Sequence, residues 1–202
     1  MKVLRRALTA LLGAVLICLA PARNQAAAQT PLRILIFERP PYYTVLPGGK
    51  PDGFLVQLTV TLLQEAGIPH EFSEMPARRI LERIRQNSGP ECSIGWFKTP
   101  EREEFSRFSL PIYRDMPLMA VFRRGEGPPP GTRATLEELA RHPGLTLGLN
   151  ETFSFGHAVD AILAGYAAPP MRISASQDQL LRMLLAKRFD YMLINPEEFH
   201  TL

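Results

Sequence analysis

Short apolar runs alternate with segments of helical periodicity along this chain, and the alternation restricts the folds that it can adopt. Residues 33–37 (RILIF) form a β-branched, apolar run of strand length. In residues 54–66 the apolar positions recur at helical spacing instead. A strand, a helix and a strand are predicted next, at residues 70–73, 77–86 and 92–96. The order β-α-β-α-β predicts a parallel sheet that is covered by helices.

A second α/β unit is predicted after the Gly- and Pro-rich residues 125–131. Thr135 and Glu138 fit a capping box at the start of a helix, and Pro196 suits the first position of the last helix. The other elements predicted here are strands at residues 145–149, 171–174 and 191–194 and helices at residues 154–165 and 177–187. The predicted division of the chain is a first lobe at residues 29–118, a hinge at residues 119–125 and a second lobe at residues 126–202.

The N-terminus has the features of a secretory signal peptide. Basic residues precede an apolar stretch at residues 7–20, which is too short to span a bilayer as a helix. Small residues then offer an A-x-A cleavage site at residues 26–28, with a cut after Ala22 as the alternative. Cys18 does not fit a lipoprotein signal, because the preceding residue, Ile17, is bulky. We therefore predict that residues 1–28 are a cleaved signal peptide and that the protein is periplasmic.

Removal of residues 1–28 changes the charge and the cysteine content of the chain. The sequence has 23 basic and 20 acidic residues, and four of the basic ones lie in residues 1–28, so 19 remain against 20. This balance indicates neither a nucleic acid nor an anionic membrane as a partner. Cys92 is then the only cysteine, so no intramolecular disulfide can form. We expect Cys92 to be a small buried hydrophobic residue rather than a reactive thiol.

The sequence patterns of metal sites, phosphate loops and hydrolases are not found in this chain. Its four histidines have neither an i, i+4 partner nor the carboxylate spacing of a metal site. Residues 48–50 (GGK) lack the rest of a phosphate-binding loop, and no Gly-x-Ser-x-Gly elbow occurs. We therefore expect no cofactor, no metal and no catalytic residue.

One local motif carries more information than any of these patterns. It consists of residues 93–102 (SIGWFKTPER), followed by residues 108–113 (FSLPIY). With the order of segments around it, this motif resembles the family 3 extracellular solute-binding proteins, in particular their amino-acid-type ABC-transporter branch. Members of that family have a strand ending in Gly, a Ser-x-Thr-Pro-Glu-Arg run and then Phe-Ser-x-Pro-Tyr. The chain keeps the family's residues at Gly95, Thr99, Pro100, Glu101, Arg102, Phe108, Ser109, Pro111 and, displaced by one position, Tyr113.

The resemblance covers residues 32–200 and implies an α/β, two-lobed type II periplasmic-binding-protein fold. It further implies reversible capture of a small polar, carboxylate-bearing ligand, such as an amino acid or a related molecule, by a monomer. Hinge closure would then present the loaded protein to an inner-membrane ABC permease. An enzyme of the same fold, with Glu151, Glu197 or Glu198 as the acid in the cleft, is one alternative function. A sensory binding module is the other.

Thr99 and Arg102 are the predicted anchors for the ligand's carboxylate. They follow a strand at the turn into a helix, where free backbone N–H groups attract an anion. An arginine can add two parallel hydrogen bonds to a carboxylate. In the family, this turn grips the α-carboxylate of the ligand. The alternative for Arg102 is a surface salt bridge to Glu103 or Glu104.

Aromatic residues are predicted to form the apolar wall of the ligand site. Tyr42 and Tyr43 resemble the aromatic residue after the first strand that packs on the ligand in the family, and we expect one of the two to do so. Trp96 is either part of this wall or part of the core. Phe97 stands where many relatives have a serine that contacts the ligand, so this hydrogen bond is absent.

Two further candidates have an equally strong structural alternative. Arg79 opens the second helix in a pattern similar to one branch of the family, and it faces either the cleft or solvent. Ser154 lies in a turn that resembles the one opening a helix towards the ligand, but it can also simply cap that helix.

Asn195 is the main departure from the family's pattern. Amino-acid-binding relatives carry an aspartate there, five residues after the position of Asp190, and this aspartate binds the ligand's ammonium group. Asn195 is neutral, and Glu197 or Glu198 could replace the missing charge only if the local backbone shifts. The substitution therefore puts an ordinary α-amino acid in doubt and leaves other carboxylates, amides and short peptides open.

The sequence ends where relatives return to the first lobe. Family members continue with further helices that pack there, whereas this sequence stops at Leu202. We therefore expect the C-terminal return to the first lobe to be missing, in a truncated or degenerate version of the fold. The first lobe should then have an unpaired sheet edge or an exposed apolar patch.

Overall fold

The alternation of strands and helices produces one main sheet in each lobe, and β2 and β3 form a small third sheet. The computed structural model describes residues 30–129, 131–166 and 168–202. The predicted signal peptide, residues 1–28, lies outside the described residues. The strands are β1 (Leu32–Ile36), β2 (Thr44–Val45), β3 (Pro51–Asp52), β4 (His70–Glu74), β5 (Glu91–Ser93), β6 (Met119–Phe122), β7 (Leu147–Asn150), β8 (Met171–Ile173) and β9 (Tyr191–Ile194). The helices are α1 (Phe54–Glu65), α2 (Ala77–Gln86), α3 (Pro100–Glu103), α4 (Leu136–Arg141), α5 (His157–Ala164), α6 (Gln177–Leu185) and α7 (Pro196–Phe199).

The first lobe is built on a parallel sheet with the strand order β4-β1-β5. The central strand β1 carries three consecutive buried residues, Ile34 to Ile36, because both faces of a helix-covered parallel sheet are removed from water. Leu55 and Val56 of α1 pack against this strand in the same hydrophobic cluster. The parallel, helix-covered sheet expected from the sequence is confirmed.

The second lobe has a mixed sheet with the strand order β6-β9-β7-β8. Its four-residue strand β9 is buried throughout, and its side chains alternate between two clusters. Tyr191 and Leu193 pack in one cluster, and Met192 and Ile194 pack in the other. The strand β6 pairs with β9 in antiparallel orientation, so residues 119–122, which the sequence assigned to the hinge, form an edge of this sheet.

Helix ends follow the sequence signals at some positions and depart from them at others. The capping box of Thr135 and Glu138 is confirmed at α4. Asp52, a residue type that often caps helices, lies in β3, and Gly53 occupies the cap position of α1 instead. Gly53 has a φ of 110°, a conformation that side chains with a Cβ rarely adopt.

One side of the first lobe is open and apolar. The edge strand β5 pairs only with β1 among the strands that the structure describes. A groove of about 1810 Å³ lies alongside, bordered by Leu62 of α1 and Ile84 of α2 on one side and by second-lobe residues such as Val159 on the other. Arg102 borders this groove as well. An unpaired edge, one of the two features expected for this lobe, is therefore present, whereas the apolar groove is shared with the second lobe.

The residues after β9 lie against the first lobe. Asn195 donates a hydrogen bond to Tyr42, and the Thr201 hydroxyl lies 3.4 Å from the carbonyl oxygen of Pro40. The contacts of the second lobe's C-terminal helix with the first lobe thus begin directly after β9. In the part of the chain that the structure describes, no helix is long and apolar enough to cross a membrane.

Candidate ligand-binding cleft

The cleft between the lobes lies at the carboxyl ends of β1 and β5 and faces the loop after β7. Ligands of open α/β sheets bind in the crevice at this end of the strands. Residues from both lobes line it: Phe37, Arg39, Gly95, Trp96, Phe97, Arg102, Thr152, Phe153 and Ser154. Its free volume is about 10 Å³, at the lower end of the roughly 10–15 Å³ of such space that a cavity needs to hold one water molecule. The structure therefore has a closed cleft that is filled by the protein's own side chains.

Thr99 shapes the turn that brings Arg102 to the cleft. The short helix α3 begins after Thr99, and Pro100 occupies its first position. The Thr99 hydroxyl accepts a hydrogen bond of 3.4 Å from the backbone N–H of Arg102. This N–H group is consequently not free for an anion, and Thr99 does not itself line the closed cleft.

Arg102 lines the cleft with a charge that no carboxylate neutralises directly. Its guanidinium donates hydrogen bonds to two neutral carbonyl groups, those of Phe97 at 2.7 Å and Thr152 at 3.0 Å. The same group lies 4.9 Å from the centre of the Trp96 ring. Among the described residues, no carboxylate forms a salt bridge with it.

The alternative of a surface salt bridge for Arg102 is therefore wrong. Glu103 pairs with Lys98 at 2.8 Å instead. Burial lowers the pKa of Arg102, because the charged guanidinium loses water, and the negative charges of Asp160 and Glu101 oppose this effect. A partly desolvated cation whose partners are neutral carbonyl groups is stabilised further when an anion replaces one of these partners.

The two tyrosines after β1 do not form the wall of the closed cleft. Tyr43 is fully buried beneath Gly95, and its hydroxyl has no hydrogen-bond partner among the described residues. Burial raises the pKa of Tyr43 to about 12, against the effect of the nearby Arg39 guanidinium. Tyr42 is also buried, and its hydroxyl accepts a hydrogen bond of 2.8 Å from Asn195.

Three other aromatic rings meet across the cleft. The Phe37 ring lies 5.6 Å from the Trp96 ring in the first lobe and 6.3 Å from the Phe153 ring in the second. The Trp96 indole N–H donates to the Ser93 hydroxyl at 2.7 Å, which fixes the orientation of the ring. Phe37 and Phe153 were missed by the sequence analysis. Each of these two residues lies at the end of an apolar segment, and nothing in the sequence indicates that its ring faces the other lobe.

Ser154 and Arg79 have different positions relative to the cleft. Ser154 lines the cleft, where its hydroxyl is hydrogen-bonded to Asp160. The helix α5 begins only at His157, after Gly156, so the alternative in which Ser154 caps this helix is wrong. Arg79 lies on the exposed face of α2 and does not line the cleft.

An ion pair between the lobes was also missed. The Arg39 guanidinium donates two hydrogen bonds of 2.8 Å, from Nε and Nη2, to the two carboxylate oxygens of Glu198. Burial lowers the pKa of Arg39, but the hydrogen bonds and the charge of Glu198 raise it above its usual value. The sequence holds no signal for this pair, because 159 positions separate the two residues.

Comparisons with known proteins agree with this architecture. An ancestral arginine-binding protein bound to arginine superposes with a TM-score of 0.62 at 20% identity, covering 85% of this chain and 72% of its own. The solute receptor for L-cysteine of Neisseria gonorrhoeae has a TM-score of 0.60 at 22% identity, covering 82% and 64%. The chain has the type II periplasmic-binding fold.

The same fold occurs in an ancestral amino-acid-binding protein that is a precursor of cyclohexadienyl dehydratase. That structure gives a TM-score of 0.58 at 19% identity, covering 82% of this chain and 70% of its own. No protein-family model matches the sequence, and no curated protein matches it either. At these identities the likeness establishes the type II periplasmic-binding fold, and the function has to be argued from the cleft.

In this type II periplasmic-binding fold, the predicted site residues form three groups. Trp96, Arg102 and Ser154 line the closed cleft. Tyr43 and Thr99 lie behind it or support its turns, whereas Tyr42 and Asn195 border the groove of about 1810 Å³ instead. Arg79 belongs to none of these groups. Among the described residues, no cluster of three or more His, Cys, Asp or Glu side chains could hold a metal ion.

Proposed function

We propose that this protein captures a small carboxylate-bearing solute in the cleft between its lobes. The observation that carries the proposal is Arg102, whose guanidinium lines the cleft and is bonded only to carbonyl groups among the described residues. A carboxylate would form two parallel, charge-assisted hydrogen bonds with this group, and these are stronger than bonds to neutral acceptors. A solute with a carboxylate could therefore displace the carbonyl of Thr152.

The remaining walls favour a solute with an apolar part. The rings of Trp96, Phe97 and Phe153 border the cleft, and such rings provide apolar contact area with few polar groups. Asn195 adds no negative charge, and its amide nitrogen is already bonded to Tyr42. An ammonium group therefore finds no carboxylate at this position, which favours carboxylates, amides or short peptides over ordinary α-amino acids.

Binding in the closed cleft requires the lobes to open, because this space has almost no free volume. Arg102 also borders the groove of about 1810 Å³, from which a solute could approach it. At the cleft wall, one hydrogen bond links Arg102 to the second lobe, through the carbonyl of Thr152. Opening would break this bond and admit a solute, and closure around the solute would bring its carboxylate to Arg102 in place of the Thr152 carbonyl. The Arg102 guanidinium then has a partner both in the closed cleft without a solute and in the cleft closed around one.

The cellular role is proposed from the resemblance and from the N-terminal sequence. Residues 1–28 have the pattern of a signal peptide, which would export the protein to the periplasm. There it would act as a monomer and deliver its solute to an inner-membrane ABC permease. The likeness to a solute receptor for L-cysteine supports this role as an analogy of fold.

The acids of the cleft region do not favour the enzymatic alternative. Burial raises the pKa of Glu197, but its own backbone N–H, the Tyr113 hydroxyl and the Met116 N–H lower it further, so its net pKa lies below the usual value. An ionised Glu197 is a poor general acid at neutral pH. Both oxygens of Glu198 are bonded to Arg39, and Glu151 is exposed. Product formation from a bound solute would establish the alternative.

A binding screen with a matched pair of variants tests the proposed function. Monocarboxylates, dicarboxylates, dipeptides and amino acids are compared by thermal shift, because a ligand of the folded state stabilises it. Arg102→Ala should weaken binding of the best compound roughly 30- to 5000-fold, as expected for about 2–5 kcal/mol from one partner of a buried charge pair. Arg78→Ala, at an exposed arginine paired with Glu82, is the control and should bind normally. Equal affinity of wild type and Arg102→Ala would remove Arg102 from the site.

A further inference from the structure

We infer that Arg39 acts as an internal ligand: its side chain fills a guanidinium-binding site in the cleft and excludes cationic solutes from it. The meaning of this inference for the ligand's class rests on the proposed function, whereas the site itself does not. Arg39 lines the closed cleft beside Trp96 and Arg102. It is therefore a residue that determines specificity rather than a contact inside one lobe.

The carboxylate of this site is supplied by the second lobe. Glu198 in α7 accepts the two parallel hydrogen bonds of 2.8 Å from Arg39, in the geometry that matches a guanidinium to a carboxylate. The side chains of Arg39 and Glu198 are 12% and 2% exposed. A buried carboxylate that loses its only cation is strongly destabilising. The Glu198 carboxylate therefore needs a cation next to it in the folded protein.

The faces of the guanidinium are covered by aromatic rings from both lobes. The central carbon of the Arg39 guanidinium lies 4.5 Å from the centre of the Phe153 ring and 4.8 Å from that of the Tyr42 ring. Aromatic faces attract cations, and the flat guanidinium stacks on them better than an ammonium does. A carboxylate with two aromatic faces is thus a complete site for a guanidinium, and the chain fills it with its own arginine.

Arg39 limits the ligands that the cleft can accept. While it is in place, neither oxygen of Glu198 is free for a solute's cation. Asp160 is bonded to Ser154, which lines the cleft, and both of its oxygens are also occupied, one by the Ser154 hydroxyl and the other by the Phe155 N–H. The cleft therefore selects carboxylates that lack a guanidinium or an ammonium group.

Replacement of the internal guanidinium by a free one tests the inference. Arg39→Ala should leave a cavity that binds methylguanidinium or agmatine, with thermal stability rising by about 3 °C or more at saturating concentrations. Urea, which has a similar planar shape but no charge, should have no such effect. Wild type should not respond, and neither should Arg182→Ala, whose lost guanidinium pairs with Asp178 in solvent and is 76% exposed.

The double variant Arg39→Ala/Glu198→Gln identifies the carboxylate. It removes the charge that the guanidinium pairs with, so it should fold without the cation and bind methylguanidinium at least about tenfold more weakly than Arg39→Ala. If Arg39→Ala does not fold alone, recovery of a cooperative unfolding transition on adding methylguanidinium supports the inference. Failure of such recovery overturns it.

The inference is also overturned if Arg39→Ala folds and responds to methylguanidinium as wild type does, or if the double variant binds the cation equally well. None of these measurements uses a carboxylate ligand. A wild-type protein that binds no carboxylate would therefore contradict the proposed function and leave the test of Arg39 interpretable.

Discussion

The amide nitrogen of Asn195 donates a hydrogen bond of 2.8 Å to the hydroxyl of Tyr42, and both residues are only 2% exposed. The bond ties the first residue after β9 to the loop after β1. Burial raises the pKa of Tyr42 well above its usual value, so the hydroxyl stays protonated and accepts this bond as a neutral group. The link between the lobes at this point is therefore uncharged, in contrast to the neighbouring pair of Arg39 and Glu198.

Removal of the Tyr42 hydroxyl should destabilise the protein. Tyr42→Phe leaves a buried N–H of Asn195 without its partner, and an unsatisfied buried donor costs about 1–3 kcal/mol. The free energy of unfolding from denaturant titrations measures this loss. The ring remains, so its packing on Phe54, at 5.2 Å between ring centres, should be kept.

Tyr113→Phe is the matched control for this prediction. Its hydroxyl donates a hydrogen bond of 2.9 Å to Glu197, but the residue is exposed and water can replace the bond. We expect this variant to lose less than about 1 kcal/mol. Equal losses in the two variants would show that burial of the bond between Tyr42 and Asn195 does not matter.

The regular elements could be predicted from the sequence because their signals are local. The helix α2 has the predicted bounds, and β9 was predicted at the residues where it forms. An apolar run or a helical period reflects burial of one face, and it depends on residues a few positions apart. The strand β5 ends at Ser93, earlier than predicted, because Gly95 turns the chain out of the sheet with a φ of 77°.

The cleft was only partly predictable, because its contacts join distant parts of the chain. The motif around Arg102 marked its turn, and the structure places this residue in the cleft wall. For the two tyrosines after β1, sequence alone could not decide which way each ring points. The path of the chain at Gly95 leaves room for the Tyr43 ring beneath it. No local pattern joins Arg39 to Glu198, since the fold alone brings them together.

The thiol of Cys92 should react slowly in the folded protein. Burial raises the pKa of Cys92 to about 11, so the reactive thiolate is a minor form at neutral pH. In a Cys18→Ser variant, alkylation of the native protein should therefore rise about tenfold per pH unit between pH 8 and pH 10. In denaturant, the rate should level off near the usual thiol pKa of about 8.5.

A raised thiol pKa also has a consequence for stability. The folded state keeps the proton of Cys92 at a pH where the unfolded state loses it. The protonated thiol therefore contributes to the free energy of unfolding below the unfolded pKa, and this contribution is lost as the pH rises through about 11. The free energy of unfolding of Cys92→Ala should not show the decrease at alkaline pH that the thiol causes in the wild type. A native alkylation rate that levels off near pH 8.5 would show that the thiol is accessible and contradict the prediction.

Gly95, in the wall of the cleft, cannot be replaced easily by a residue with a side chain, for two reasons. Its φ of 77° lies in the left-handed region. A Cβ at this position would also meet the ring and the hydroxyl of Tyr43, at 2.9 Å from each. The neighbouring atoms belong to a fully buried side chain, which cannot move aside without disturbing the core of the first lobe.

Gly95→Ala should therefore destabilise the protein by about 2–4 kcal/mol, the sum of a left-handed alanine and an overpacked contact. Gly89→Ala is the control, because a Cβ there meets no atom within 4 Å and the backbone is not left-handed. It should be neutral, or stabilising by up to about 1 kcal/mol through the unfolded chain. Denaturant unfolding of the two variants under the same conditions gives the comparison.

The double variant Gly95→Ala/Tyr43→Leu tests the contact separately, because it relieves the contact and keeps the left-handed alanine. In the Tyr43→Leu background, Gly95→Ala should therefore cost less unfolding free energy than it costs in the wild type. Strict additivity of the two changes would mean that Tyr43 does not press on this turn, and that the glycine is needed for its backbone conformation only.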